Sequence, residues 1–178
     1  MNQTNLTTLG MGCFWCSEAI YQSLTGIHKI TSGFTGGHVK NPSYEEVCQG
    51  TTGHAEVIQI EFDPEKISYE TILSVFWKLH NPTLLNRQDY DVGTAYRSII
   101  LYHSLEQKAT AIQSRDQVQK LFENPIVTEI VPMTDFYPAE KHHQNFYQKN
   151  ADSSYCKIII DPKIEKLKKF QIAPKNQT

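Results

Sequence analysis

Apolar positions along the chain follow two rhythms, one of period two and one near 3.6, and the switches between them mark out the elements. Leu6 to Gly10 reads as a first strand. From Phe14 to Leu24, Phe14, Trp15, Ala19, Ile20 and Leu24 recur at helical spacing, and Gly26 ends the helix. Ile27 to Phe34 is extended and runs into a Gly36-Gly37 loop, after which a short helical turn fits Pro42 to Cys48 with proline at its start. Ala55, Val57, Ile58, Ile60 and Phe62 give His54 to Asp63 the pattern of a half-buried strand, closed by the Asp63-Pro64 turn. Ser68 opens a helix with an apolar stripe of Ile72, Leu73, Val75, Phe76 and Leu79, stopped by Asn81-Pro82. The polar loop from Asn81 to Gly93 exceeds the usual ~4–6 residues, and such loops tend to be functional. Tyr96 to Tyr102 is a strand, and Ser104 to Phe122 a long helix capped by Ser104 with Gln107 at the third position. Ile126 to Val131 is a strand and Ala139 to Lys149 a final helix. Beyond Asn150, one apolar patch at Lys157 to Ile160 precedes a lysine-rich end.

This order of strands and helices predicts an α+β two-layer sandwich resembling the ferredoxin-like split βαβ pattern, with an extended C-terminal segment. A doubly wound parallel sheet fits less well, because the strands are too few and unevenly spaced. No repeat of ~20–50 residues and no low-complexity segment divides the chain. Residues 1–178 therefore read as one domain, with a core over about 5–150 and a C-terminal segment over 151–178.

Composition narrows the function. A chain of 178 residues, 39% hydrophobic, with a net charge of −2 can bury a core without disulfide staples, which leaves its four cysteines free for chemistry. Met1 to Gly12 has neither a basic stretch nor an apolar one of the secretory kind, so the expected setting is the cytoplasm. The longest aliphatic runs, Ile99-Ile100-Leu101 and Ile158-Ile159-Ile160, fall far below the ~18 residues of a membrane span. The near-neutral charge argues against nucleic acid as a partner.

Gly12-Cys13-Phe14-Trp15-Cys16 is the most informative segment. A cysteine between a strand and a helix start faces unpaired backbone N–H groups, which favour its thiolate, so Cys13 is a candidate nucleophile. Phe14 and Trp15 supply apolar walls beside it. Cys13 and Cys16 also form a Cys-x-x-Cys pair, open to redox chemistry or to half of a zinc site. Zinc lacks its second half: Cys48 and Cys156 are solitary, and His142-His143 has no partner one turn away, so no metal is expected. Glu56 follows the Gly53-His54-Ala55 turn, and burial in an apolar pocket would raise its pKa and make it a proton donor. Asp91 to Ser98 leads from the polar loop into a strand and offers the Tyr96 hydroxyl.

Together these segments resemble the A-type peptide methionine sulfoxide reductase family. Gly12-Cys13-Phe14-Trp15, Tyr44 with Glu45-Glu46-Val47-Cys48, Gly53-His54-Ala55-Glu56, Asn86-Arg87-Gln88, Gly93-Thr94 with Tyr96-Arg97-Ser98, Ala139-Glu140 and His143-Gln144 occur in the family's order. The resemblance implies reduction of the S-epimer of methionine sulfoxide, free or in proteins, by a monomer without bound cofactor, with thioredoxin or another dithiol as reductant. It implies Cys13 as nucleophile, Phe14 and Trp15 as the pocket for the substrate methyl, and Glu56, Tyr44 and Tyr96 around the sulfoxide oxygen. Asp91 matches an aspartate that orders the polar side. A sulfoxide sulfur is a poor electrophile until its oxygen is protonated or strongly hydrogen-bonded, so an acid and oriented donors beside a thiolate suit the reaction.

The sulfenic acid left on Cys13 calls for a second thiol. Cys156 after Tyr155 resembles a resolving cysteine on a mobile tail; Cys16 is the alternative, although a disulfide within one helical turn needs local distortion. Cys48 is the weakest candidate, because a cysteine at the end of a short helix reads first as packing. Ala95 stands where the family usually has Gln, Phe34 where Tyr is common, and Asp89-Tyr90 where a small residue and Asn precede Asp91. Two rival readings are a thiol-disulfide oxidoreductase using Cys13 and Cys16, and a non-catalytic module that binds oxidised methionine.

Overall fold

The computed structural model describes residues 5–170. Along the chain run β1 (Asn5–Met11), α1 (Phe14–Gln22), β2 (Ile27–Thr35), α2 (Tyr44–Cys48), β3 (Ala55–Phe62) and α3 (Tyr69–Leu79). They are followed by β4 (Arg87–Gln88), β5 (Asp91–Val92), β6 (Ser98–Tyr102), α4 (Leu105–Val118), β7 (Glu129–Pro132), β8 (Tyr137–Pro138), α5 (Phe146–Asn150) and α6 (Asp161–Lys169).

Six strands form one mixed sheet in the order β7-β6-β1-β3-β2-β8, with β4 and β5 paired separately. β1 is antiparallel to both β3 and β6, so β1 and β2, joined through α1, run parallel with β3 inserted between them. Among the described residues, only β6 and β7 pair in parallel within the sheet. The pleat sorts the side chains. Leu9, Ile58, Ile60, Phe62 and Ile100 face the helices with Ile20, Tyr21, Ile72, Phe76 and Ala111. Ala55, Val57, Ile99 and Leu101 form a smaller cluster on the other face under Val131, Met133 and Phe136. With both faces covered, β3 is buried along most of its length rather than half-buried.

Caps fix several helix starts as their sequences require. Ser68 and Ser104 accept from the N–H groups of Thr71 and Gln107. α2 begins at Tyr44, not at Pro42, because Ser43 and Glu46 form a reciprocal capping box.

Four expectations are corrected. Tyr96 belongs to a 3₁₀ turn, Thr94–Tyr96, and the strand starts at Ser98. The strand expected from Ile126 is Glu129–Pro132, and the edge strand Tyr137–Pro138 has too few residues to show a period. The helix expected over Ala139 to Lys149 is broken. The side-chain amide of Gln144 bonds the backbone of Ser32 in both directions at 2.8 Å, taking the place of a strand partner. A 3₁₀ turn at Lys141–His143 precedes it, and left-handed Asn145 (φ 53°) separates it from α5. The C-terminal segment is not extended: a π-helical turn, Cys156–Ile160, continues into α6. The wider turn accommodates Pro162, whose ring otherwise clashes with the carbonyl four residues back.

Candidate active site

β1 delivers the chain to Gly12 in the left-handed region (φ 98°), where a Cβ would lie 2.7 Å from the side chain of Gln88. Cys13 follows as the N-cap of α1, with extended backbone angles (φ −57°, ψ 124°). Phe14 is therefore the first helical residue. Its N–H, one of those a helix start leaves without a partner, donates to Glu56 Oε2 at 3.0 Å. Glu56, second residue of β3, is 1% exposed. Burial pushes its carboxyl up to about 8 against the bond from Phe14, and the charge of Asp91 adds to the rise.

α2 adds two groups on one face, a turn apart. The Tyr44 ring lies against Phe14 and Trp15. The Cys48 thiol faces Glu56 Oε1 at 3.9 Å and receives the Tyr96 hydroxyl at 3.7 Å. Cys48 is thus half-buried at the site instead of packed in the core. Burial raises the pKa of Cys48, Tyr44 and Tyr96, so all three remain donors at neutral pH. Arg97 holds the two approaching loops together, donating to the carbonyls of Gly53 and Thr94 while paired with Glu129. Asp91 is half-buried on the polar side.

Cys13 packs against Cys16 at the start of α1, and the Tyr155 hydroxyl lies 3.8 Å from the Cys16 sulfur. The interaction between the two thiols pulls Cys16 down to about 7 and pushes Cys13 well above its ordinary value, so the first proton the pair loses comes off near neutral pH and the second far above it. Among the described residues, no group of three or more His, Cys, Asp or Glu side chains gathers in a metal-binding arrangement.

The family model for peptide methionine sulfoxide reductase matches residues 5–176. The chain belongs to the peptide methionine sulfoxide reductase family. It is 54% identical over 159 residues to peptide methionine sulfoxide reductase MsrA of Leptospira borgpetersenii, covering 89% of this chain and 90% of the relative. The crystal structure of reduced Mxr1 from Saccharomyces cerevisiae is similar at a TM-score of 0.82 and 33% identity, covering 86% of this chain and 90% of that one. Mxr1 in complex with Trx2 is similar at a TM-score of 0.59 and 25% identity, covering 79% of this chain and 84% of that one.

In this reductase Phe14 is 1% exposed and packs between Tyr44 and Phe34, while Trp15 is half-buried and stacks on Phe146 at 3.8 Å. Glu18, buried on α1, holds that stack by accepting from the N–H groups of Asn145 and Phe146. Phe34 and Ala95 are buried and bring no polar group to the site.

Cys156 is 0% exposed, in one apolar cluster with Cys16, Ala19 and Ile160 against which Cys13 packs. It is not on a mobile tail in this structure: Lys163 pairs with Asp89, and Tyr147 donates to Asp161 at 2.6 Å. Sequence reading missed Cys48, His143, Phe146 and Tyr155 as neighbours of the nucleophile. The His143-Gln144 and Tyr155-Cys156 pairs were the available signals.

Proposed function

We propose that Cys13 attacks the sulfur of the S-epimer of methionine sulfoxide, free or in proteins, while Glu56 supplies the proton that activates its oxygen. The observation that carries this reading is the meeting of Glu56 with the α1 N-terminus, where a buried carboxyl pushed up to about 8 stays protonated beside the thiol pair. The negative charge held by Cys16 reaches Cys13 by transfer of a proton between the two sulfurs. The sulfoxide sulfur gains two electrons and leaves as the thioether of methionine; its oxygen ends on Cys13 as a sulfenic acid. Tyr44 and Tyr96 donate to the oxygen, Asp91 orders the polar side, and Phe14 and Trp15 receive the methyl group.

A second thiol then condenses with the sulfenic acid, releasing water and leaving a disulfide. Cys156 is the resolving cysteine, with Cys16 the alternative, and thioredoxin or another dithiol reduces the product by exchange. The Trx2 complex of the yeast relative supports that partner. Thiols supply every electron, so the cycle calls for no bound cofactor and runs in a reducing compartment such as the cytoplasm. Residues 1–178 act as one domain and as a monomer, and the interleaving of β3 between β1 and β2 supports the ferredoxin-like reading of the core. Assay of the protein and of C13S on separated epimers with a thioredoxin system tests the proposal: only the S-epimer should turn over, and only with Cys13 present. Turnover of the R-epimer, or full activity in C13S, overturns it.

A further inference from the structure

His143 has no part in the roles assigned above, yet its ring touches most of the apolar wall. Its Nδ1 accepts from the indole Nε1–H of Trp15 at 3.3 Å. Its ring lies 4.3 Å from that of Tyr44 and 5.7 Å from that of Phe14. An Nδ1 that accepts leaves the proton of a neutral imidazole on Nε2, and Nε2 is buried with no partner among the described residues. A buried donor without a partner is destabilising, and a phenylalanine in the same slot would carry no such donor but would leave the Trp15 indole without its acceptor. The residue is therefore better suited to holding Trp15 than to stabilising the fold.

We propose that His143 is a positioning residue for the substrate pocket: its neutral imidazole anchors the Trp15 indole through Nδ1 and fixes Tyr44 by ring contact, so that the methyl wall is formed before substrate arrives. The proposal rests on the pocket reading for Trp15. The backbone supports it, because Gln144, bonded to Ser32, fixes the turn carrying His143, and Glu18 fixes Phe146 on the other face of Trp15. Protonation of Nδ1 removes the acceptor and releases the indole. Burial and the neighbouring His142 favour the neutral ring, while Glu140 and, across from α2, Glu45 favour the charged one. Burial dominates and lowers the pKa, so the anchor holds at neutral pH and fails only in acid.

The test follows the indole N–H resonances of Trp15 and Trp77 by NMR against pH, assigned with W77F. The Trp15 resonance should move upfield as the solution is acidified past the ordinary imidazole range, while that of Trp77, bound to Ser114, stays in place. In H143F the Trp15 resonance should sit upfield at every pH, and KM for methionine sulfoxide should rise about tenfold with kcat within about twofold of the parent protein. H143Q, whose side-chain oxygen can accept from the indole, should restore most of the KM. A Trp15 resonance that still titrates in H143F overturns the proposal, as does a displaced resonance with unchanged KM. Failure of the pocket reading is separately visible as S-epimer turnover that W15A leaves unchanged.

Discussion

The backbone N–H of Phe14 donates to Glu56 at 3.0 Å across 42 positions of sequence, tying the start of α1 to a carboxyl that is 1% exposed. One hydrogen bond thereby fixes the acid relative to the nucleophile, since Cys13 immediately precedes Phe14. A helix start favours a carboxylate, but here desolvation outweighs it and Glu56 is held neutral.

Glu56→Gln keeps the shape and the acceptor for Phe14 and removes the transferable proton. Single-turnover formation of methionine should slow by about 10²–10⁴, the range for loss of a general acid. Stopped-flow or quench measurement checks this, and a change under about threefold contradicts it.

The two pKa values set the pH profile. Thiolate in the Cys13–Cys16 pair grows as pH rises through about 7, and the acid form of Glu56 is lost as pH rises through about 8. Single-turnover rate should be bell-shaped between them, and E56Q should retain the acid-side limb while losing the alkaline one. An alkaline limb that survives in E56Q assigns it to another group.

The same shift bears on stability. The folded pKa of Glu56 lies above the ordinary value of 4.5, so its contribution is fully favourable below 4.5 and is lost as pH rises toward about 8. At pH 7 the loss is on the order of 3 kcal/mol. E56Q should therefore melt higher than the parent near pH 7.5, by roughly 10 °C, with the gap closing near pH 4.5. Equal melting curves at both pH values count against a neutral buried carboxyl.

Lys163 on α6 pairs with Asp89, a residue with positive φ (52°) beside the loop that packs on Gly12. Its charge lowers the Cys16 pKa. K163M should raise the titration midpoint of the thiol pair and slow alkylation by iodoacetamide at pH 7 by about threefold, whereas K163R should behave as the parent protein. Unchanged alkylation in K163M excludes this support for the thiolate.

Most of what positions the site was legible where a local rule and the tertiary need agree. β1, α1, β2, β3 and α3 follow their periods and caps, and Cys13, Phe14, Glu56, Tyr44 and Tyr96 come together as the motifs imply. What stayed hidden depends on distant partners. The helical spacing of Ala139 to Lys149 gives no sign that Gln144 will bond Ser32. The lysines of α6 read as a solvated end, although Cys156, Ile160, Ile164 and Leu167 recur on one face, because Pro162 signals a break that the π-helical turn absorbs. Cys48 read as packing because nothing local shows that Tyr96, 48 positions later, turns back to it.

The most direct test of the account uses a C16S/C48S/C156S variant, in which Cys13 is the one thiol left, given excess S-epimer without reductant and then a reagent specific for sulfenic acids. One methionine per protein and one label, on the peptide that contains Cys13, are expected. Methionine formed without oxidation of Cys13, or no methionine from a variant that melts like the parent protein, contradicts it.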